Sequence, residues 1–158
     1  MIPTETVIVQ PRPAIRPRWG VFTPVADDEC GIRVVRRLKD GKRWVRVEGP
    51  RDLTFTRDTG DAHVARVGLV SDGASIPRVA QSLIGHPFDE YLEAALIHDQ
   101  LCRDRTLPAR VAHRIFYEAM RAQDVAAWKA RLMHAAVFAR RPHWTVTDAP
   151  TADRSPAP

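Results

Sequence analysis

Apolar and polar positions keep two different rhythms along this chain of 158 residues. Between residues 19 and 72 they alternate in short runs. "IRVVRRL" and "RWVRVE" interleave apolar and basic residues on either side of "KDGK", whose Asp-Gly pair suits a tight hairpin turn. "LTFTR" and "HVARVGLV" come next, divided by the turn-rich "DTGD". The spacing predicts about four to six short strands in a sheet with one wet face. From Pro77 the period becomes helical. "PRVAQSLIG" predicts a short helix stopped by Gly85. "FDEYLEAALIHDQLC", "PARVAHRIFYEAMRAQ" and "VAAWKARLMHAAVFARR" predict three longer ones, the second with a proline in its first turn, where helices tolerate it. The expected fold class is α+β: an N-terminal antiparallel β-sheet followed by a bundle of roughly three to four helices.

The prolines, 13 in all, gather toward the two ends. The expected organisation is therefore an extended proline-rich arm over 1–18, a single α+β domain over 19–141 (β-rich 19–72, helical 77–141) and a flexible proline-rich tail over 142–158. The β-branched run "TVIVQ" in the arm would be poorly covered if it floated free, so it is expected at a sheet edge of this chain or of a neighbour. The formal net charge is +5, which tolerates anionic partners such as nucleic acid, phosphorylated substrates or cell-wall polymer. The arginines are scattered without a basic block, so dedicated nucleic-acid binding is not expected. Cys30 and Cys102 are too far apart in kind and position to form a disulfide framework. The start of the chain lacks the basic-then-apolar pattern of a signal peptide, and no run approaches a membrane span.

Candidate chemistry begins at "LVSDGASIP", where an apolar run turns at Asp72-Gly73 and a proline opens the helical half. A turn and a helix N-cap at Ser75 account for the residue types. They do not account for the placement of polar residues on the next helix. On a wheel of residues 88–102, Asp89, Glu93 and Gln100 define a wet face. His98 points roughly 150° away from it, with Tyr91, Ala95 and Cys102. Asp99 falls at the border and is spaced to pair with Arg103. A core-facing imidazole needs a partner on each nitrogen, or a metal on one of them. His113 lies at the edge of the next helix's apolar stripe, where a solvent-edge side chain is the simpler expectation. Together Asp72, His98 and His113 could ligate zinc, manganese or a similar divalent ion and leave a position open for water, with Asp99 nearby to take a proton. A second arrangement makes Ser75 a nucleophile, with His98 as base and Asp72 or Asp99 orienting it. "DGAS" is not the nucleophile elbow that chemistry usually occupies. His63, His86, His134 and His143 have no partner at ligand spacing. Trp19, Trp44, Trp128 and Trp144 read as packing residues.

"SDGASIP", "AALIHDQLC", "RVAHRIFYEAMRA" and "WKARLMHAAV", in that order and spacing, resemble a family of small proteins of tailed phages, prophages and bacteria, the domain-of-unknown-function family thirteen fifty-three. Asp72, Gly73, Ser75, His98 and Asp99 match its pattern over about residues 66–140. His113 stands where that pattern more often carries an aspartate, which retains a residue type able to ligate a metal and leaves the ion's identity open. The resemblance implies a phage or prophage context, in host cytoplasm or virion, without an established activity. It is compatible with two expectations. One is a metal-dependent hydrolase-like protein acting on peptidoglycan or a phosphoester. The other is a non-enzymatic virion component, a tail or connector protein, with a buried Asp-His-Asp polar lock and arms that dock on other virion proteins.

Overall fold

The computed structural model describes residues 5–8, 17–23, 33–39, 42–48, 51–71, 90–139, 144 and 146. Among these the fold is α+β, with antiparallel strands preceding three α-helices. The strands are β1 (Glu5–Ile8), β2 (Val21–Phe22), β3 (Arg33–Lys39), β4 (Lys42–Glu48), β5 (Leu53–Thr56), β6 (Ala62–Ala65) and β7 (Val70–Ser71). They form a four-stranded sheet in the order β1-β3-β4-β7 and a three-stranded sheet in the order β2-β5-β6. The β3–β4 hairpin sets Lys39 opposite Lys42. β1, within the stretch read as an arm, pairs antiparallel with β3 of the same chain.

"HVARVGLV", expected as one strand, is two strands in different sheets. The chain breaks at Gly68, whose φ of +91° a side chain would strain. The Gly68 amide donates to the Val47 carbonyl and the Val47 amide to the Leu69 carbonyl. The turn therefore hands the chain from β5–β6 to the edge of β4. At Gly20 (φ +117°) a Cβ would sit 2.5 Å from the Thr56 carbonyl oxygen and 2.8 Å from the Phe55 ring, so only glycine lets the 3₁₀ turn Pro17–Trp19 lead into β2 there.

The helices are α1 (Leu92–Asp104), α2 (Ala109–Ala122) and α3 (Ala127–Ala139). α1 carries Glu93 in its first turn and Arg103 in its last, each matched to the helix dipole, and stops where Arg105 turns left-handed. Pro108 caps α2 from outside, one residue before the first turn where it was expected. α1 packs on α2 and α2 on α3, while β5 and β6 lie against α1. Val45, Val47, Leu53 and Phe55 from the sheets meet Leu96, Ile97, Ile115, Phe116, Met120 and Met133 in one core. The expected short helix over 77–85 lies outside the described residues. No helix among the described residues is long and apolar enough to cross a membrane.

Candidate functional site

The helical period of α1 turns His98 into the core, as the wheel requires, and leaves it 2% exposed. Its ring stacks on Phe116 of α2, with centroids 4.7 Å apart. Its Nε2 lies 2.9 Å from Nδ1 of His113, one nitrogen donating and the other accepting. His113 is itself 2% exposed, which corrects the expectation of a solvent-edge side chain. The local pattern of α2 places it at a border, but that border is closed by distant residues. Phe138 of α3 meets its ring edge-on at 6.3 Å, and Trp144 does so at 6.0 Å. Trp144, from the stretch read as tail, is held in place by its indole N–H donating to the Leu107 carbonyl.

Burial, reinforced by the neighbouring His113 and His134, pushes His98 down to about 3 from its ordinary 6.5. One turn along α1, Cys102 brings Sγ to 3.5 Å from His98 Nε2. Burial, with the charge of Asp99 adding to it, pushes that thiol up to about 12, so it is a protonated, unreactive neighbour. The spacing of four between His98 and Cys102 is visible in the sequence as a shared helix face.

Asp99, expected at the border, is 8% exposed and accepts a hydrogen bond from the Ser71 hydroxyl at the end of β7. Arg103, expected as its partner, instead sends Nη2 to the Val70 carbonyl at 2.5 Å. Both contacts tie α1 to β7, the strand that ends at Ser71. Gln100, placed on the wet face by the wheel, is 6% exposed, because β6 covers it and the Arg66 amide donates to its Oε1 at 3.2 Å. Sequence reasoning misses Ser71, although it opens the same "SDGASIP" motif that points to Ser75. Asp72 and Ser75 lie outside the described residues. Of the residues singled out in the sequence, His98 and His113 touch, and Asp99 stands beside them in the chain with Ser71 as partner. Among the described residues no group of three or more His, Cys, Asp or Glu side chains is placed to hold a metal ion.

Comparison with known proteins gives a family but not an activity. The chain is 42% identical over 96 residues to uncharacterized protein y4jT of Sinorhizobium fredii, a match covering 60% of this chain and 29% of that protein. It is 40% identical over 75 residues to uncharacterized protein y4iH of the same bacterium, covering 47% of this chain and 31% of that one. The matched stretch thus spans under a third of either relative. No solved structure matches the chain. The profile of the proteins of unknown function DUF1353 matches residues 50–137, which take in the last strands, Ser71, Asp99 and both buried histidines, and the chain belongs to that family.

Proposed function

We propose that this chain is a metal-dependent, hydrolase-like protein, with zinc or manganese held at a site built on His98 and His113. The observation that carries this reading is the buried pair of ring nitrogens facing each other at 2.9 Å. Nitrogens that share a tetrahedral ion lie about 3.3 Å apart, so two imidazoles sharing a proton need little movement to share an ion instead. Burial keeps the His98 ring neutral, as a ligand must be. The third ligand in this reading is Asp72, one residue beyond Ser71. The ion would supply a bound water of lowered pKa. Asp99, oriented by Ser71, would accept a proton there or fix a neighbouring ligand. Peptidoglycan and phosphoesters are the substrate classes that fit a chain of net charge +5 in a phage or prophage setting.

A second reading makes the same residues a structural lock in a virion component, a tail or connector protein whose ends join other subunits. It is favoured by the way the polar groups satisfy one another. His98 and His113 join α1 to α2, and Ser71 and Asp99 join β7 to α1.

Elemental analysis of the purified protein separates the two. The metal reading expects about one divalent ion per chain, lost in His98→Ala, and a higher Tm on adding zinc or manganese. His113→Asp, which restores the residue more frequent in the family pattern, should keep the ion, whereas His113→Ala should not. A protein without metal, and with an unchanged Tm in both ions, would leave the lock.

A further inference from the structure

A groove of about 610 Å³ opens between the 3₁₀ turn, α2 and α3. Its walls are aromatic. Trp19 meets Tyr117 edge-on at 5.7 Å, Tyr117 meets His134 at 5.9 Å, and His134 meets Phe138 at 6.3 Å. Phe138 is 48% exposed, far more than a core phenylalanine. Its rim is cationic. Arg110 and Arg114 stand one helical turn apart on α2 and both line the opening.

That charge is only partly compensated, by the single contact of Arg114 with Glu118. Like charges at i and i+4 repel, and Arg110 also sits in the first turn of α2, at the positive end of the helix dipole, in a turn with no acidic residue. Among the described residues Arg110 has no ion-pair partner. The carboxylate at the groove, Glu118, is taken by both Nε and Nη2 of Arg57, at 2.7 and 3.1 Å. Arg114 reaches it only through Nε, and its side chain is 74% exposed. Two guanidiniums at the mouth of an aromatic-walled groove of small-molecule size are an arrangement for one kind of ligand, a flat ring that carries an anion.

We infer that this groove binds a nucleotide, its base against Tyr117, His134 and Phe138 and its phosphate between Arg110 and Arg114. None of the proposed metal ligands lines the groove, although Phe138 borders both, and Arg110→Glu, remote from the histidine pair, tests the groove separately from the metal reading.

Calorimetric titration of the full chain with adenosine monophosphate tests it. Binding tighter than about 1 mM is expected, with adenosine and inorganic phosphate each weaker by about tenfold or more, since each keeps only half of the recognition. Arg110→Glu, at an exposed position, should weaken the monophosphate by about tenfold with an unchanged circular dichroism spectrum. Phe138→Leu, which keeps bulk and removes the ring, should weaken it while leaving phosphate binding as it was. A short unpaired oligonucleotide distinguishes the two sources of this chemistry. Binding about tenfold tighter than the monomer assigns the groove to one unit of a strand, and equal or weaker binding to the free nucleotide. No heat at about 5 mM monophosphate, or phosphate binding as tightly as the monophosphate, or full affinity in Arg110→Glu, overturns the inference.

Discussion

Two polar clusters share helix α2, and they solve burial in opposite ways. At its first turns His113 faces His98 in a dry pocket, both rings 2% exposed and the His98 ring held neutral by burial. One turn further on, Glu118 is charged and held by two guanidiniums, with Arg57 and Glu118 side chains 16% and 12% exposed. The difference lies in access to water. An isolated charge in the first pocket would cost several kcal/mol to desolvate, so the residues there are ones that can be neutral and share a proton. The second cluster lies at the rim, where a bidentate guanidinium and nearby solvent can hold an ion. Burial alone would raise the Glu118 carboxyl, but the hydrogen bonds from Arg57 and Arg114 outweigh it and hold the group below its ordinary 4.5.

The sharpest way to break the comparison is to remove half of the dry pair. His113→Ala should cost about 3 kcal/mol, from the cavity beneath Phe138 and Trp144 and from the nitrogen of His98 left without its partner. The double variant with His98→Ala should cost less than the sum of the singles, with a coupling of about 1–2 kcal/mol. Urea unfolding at neutral pH measures both. Strict additivity would mean that the two rings do not support each other.

How far these clusters are legible in the sequence depends on how local their causes are. The helical period of α1 puts His98 inward, and the alternation from 33 to 48 gives the β3–β4 hairpin. Each rests on neighbours a few residues away. The burial of His113 rests on Phe138 and Trp144, and that of Asp99 on Ser71, all more than 20 positions distant in the chain. No local pattern records such closures. Arg57 and Glu118, 61 positions apart, give no signal at all. The break in "HVARVGLV" is hidden because its turn, closed by the Leu69 amide on the Arg66 carbonyl, carries one glycine without the Asn, Asp or Pro that usually marks a turn. The Asp-Gly turn at 72 and Ser75 lie outside the described residues, so the motif that first points to a site enters the geometry only through Ser71.

The rim cluster should show itself through pH. Glu118→Gln should cost about 2 kcal/mol at neutral pH, because Arg57 loses a charged partner in a partly buried setting. Since the carboxyl titrates lower in the folded chain than in the unfolded one, its stabilisation is complete above about 4.5 and is lost as pH falls through the folded value. Wild type and variant should therefore differ by a constant amount from pH 7 down to about 5, then converge. A gap that instead widened on acidification would mean that the carboxyl is raised, and that burial governs this cluster as it does the histidines.

The smallest effect makes the finest distinction, because it separates the two arginines that hold the same carboxylate. Arg57 grips Glu118 bidentately with a side chain 16% exposed, whereas Arg114 makes one contact of 3.1 Å with a side chain 74% exposed. Solvent screens the second pair, and ordering a long exposed side chain offsets much of its Coulomb gain. Arg114→Ala should therefore cost no more than about 0.5 kcal/mol at physiological salt, and still less at 1 M. Arg57→Ala should cost about 2 kcal/mol with little salt dependence, since it leaves a buried carboxylate with only one exposed partner. Unfolding curves of both variants at two salt concentrations decide it. Equal losses would place the energy of the cluster in charge count, and unequal ones in the exclusion of water from a single pair.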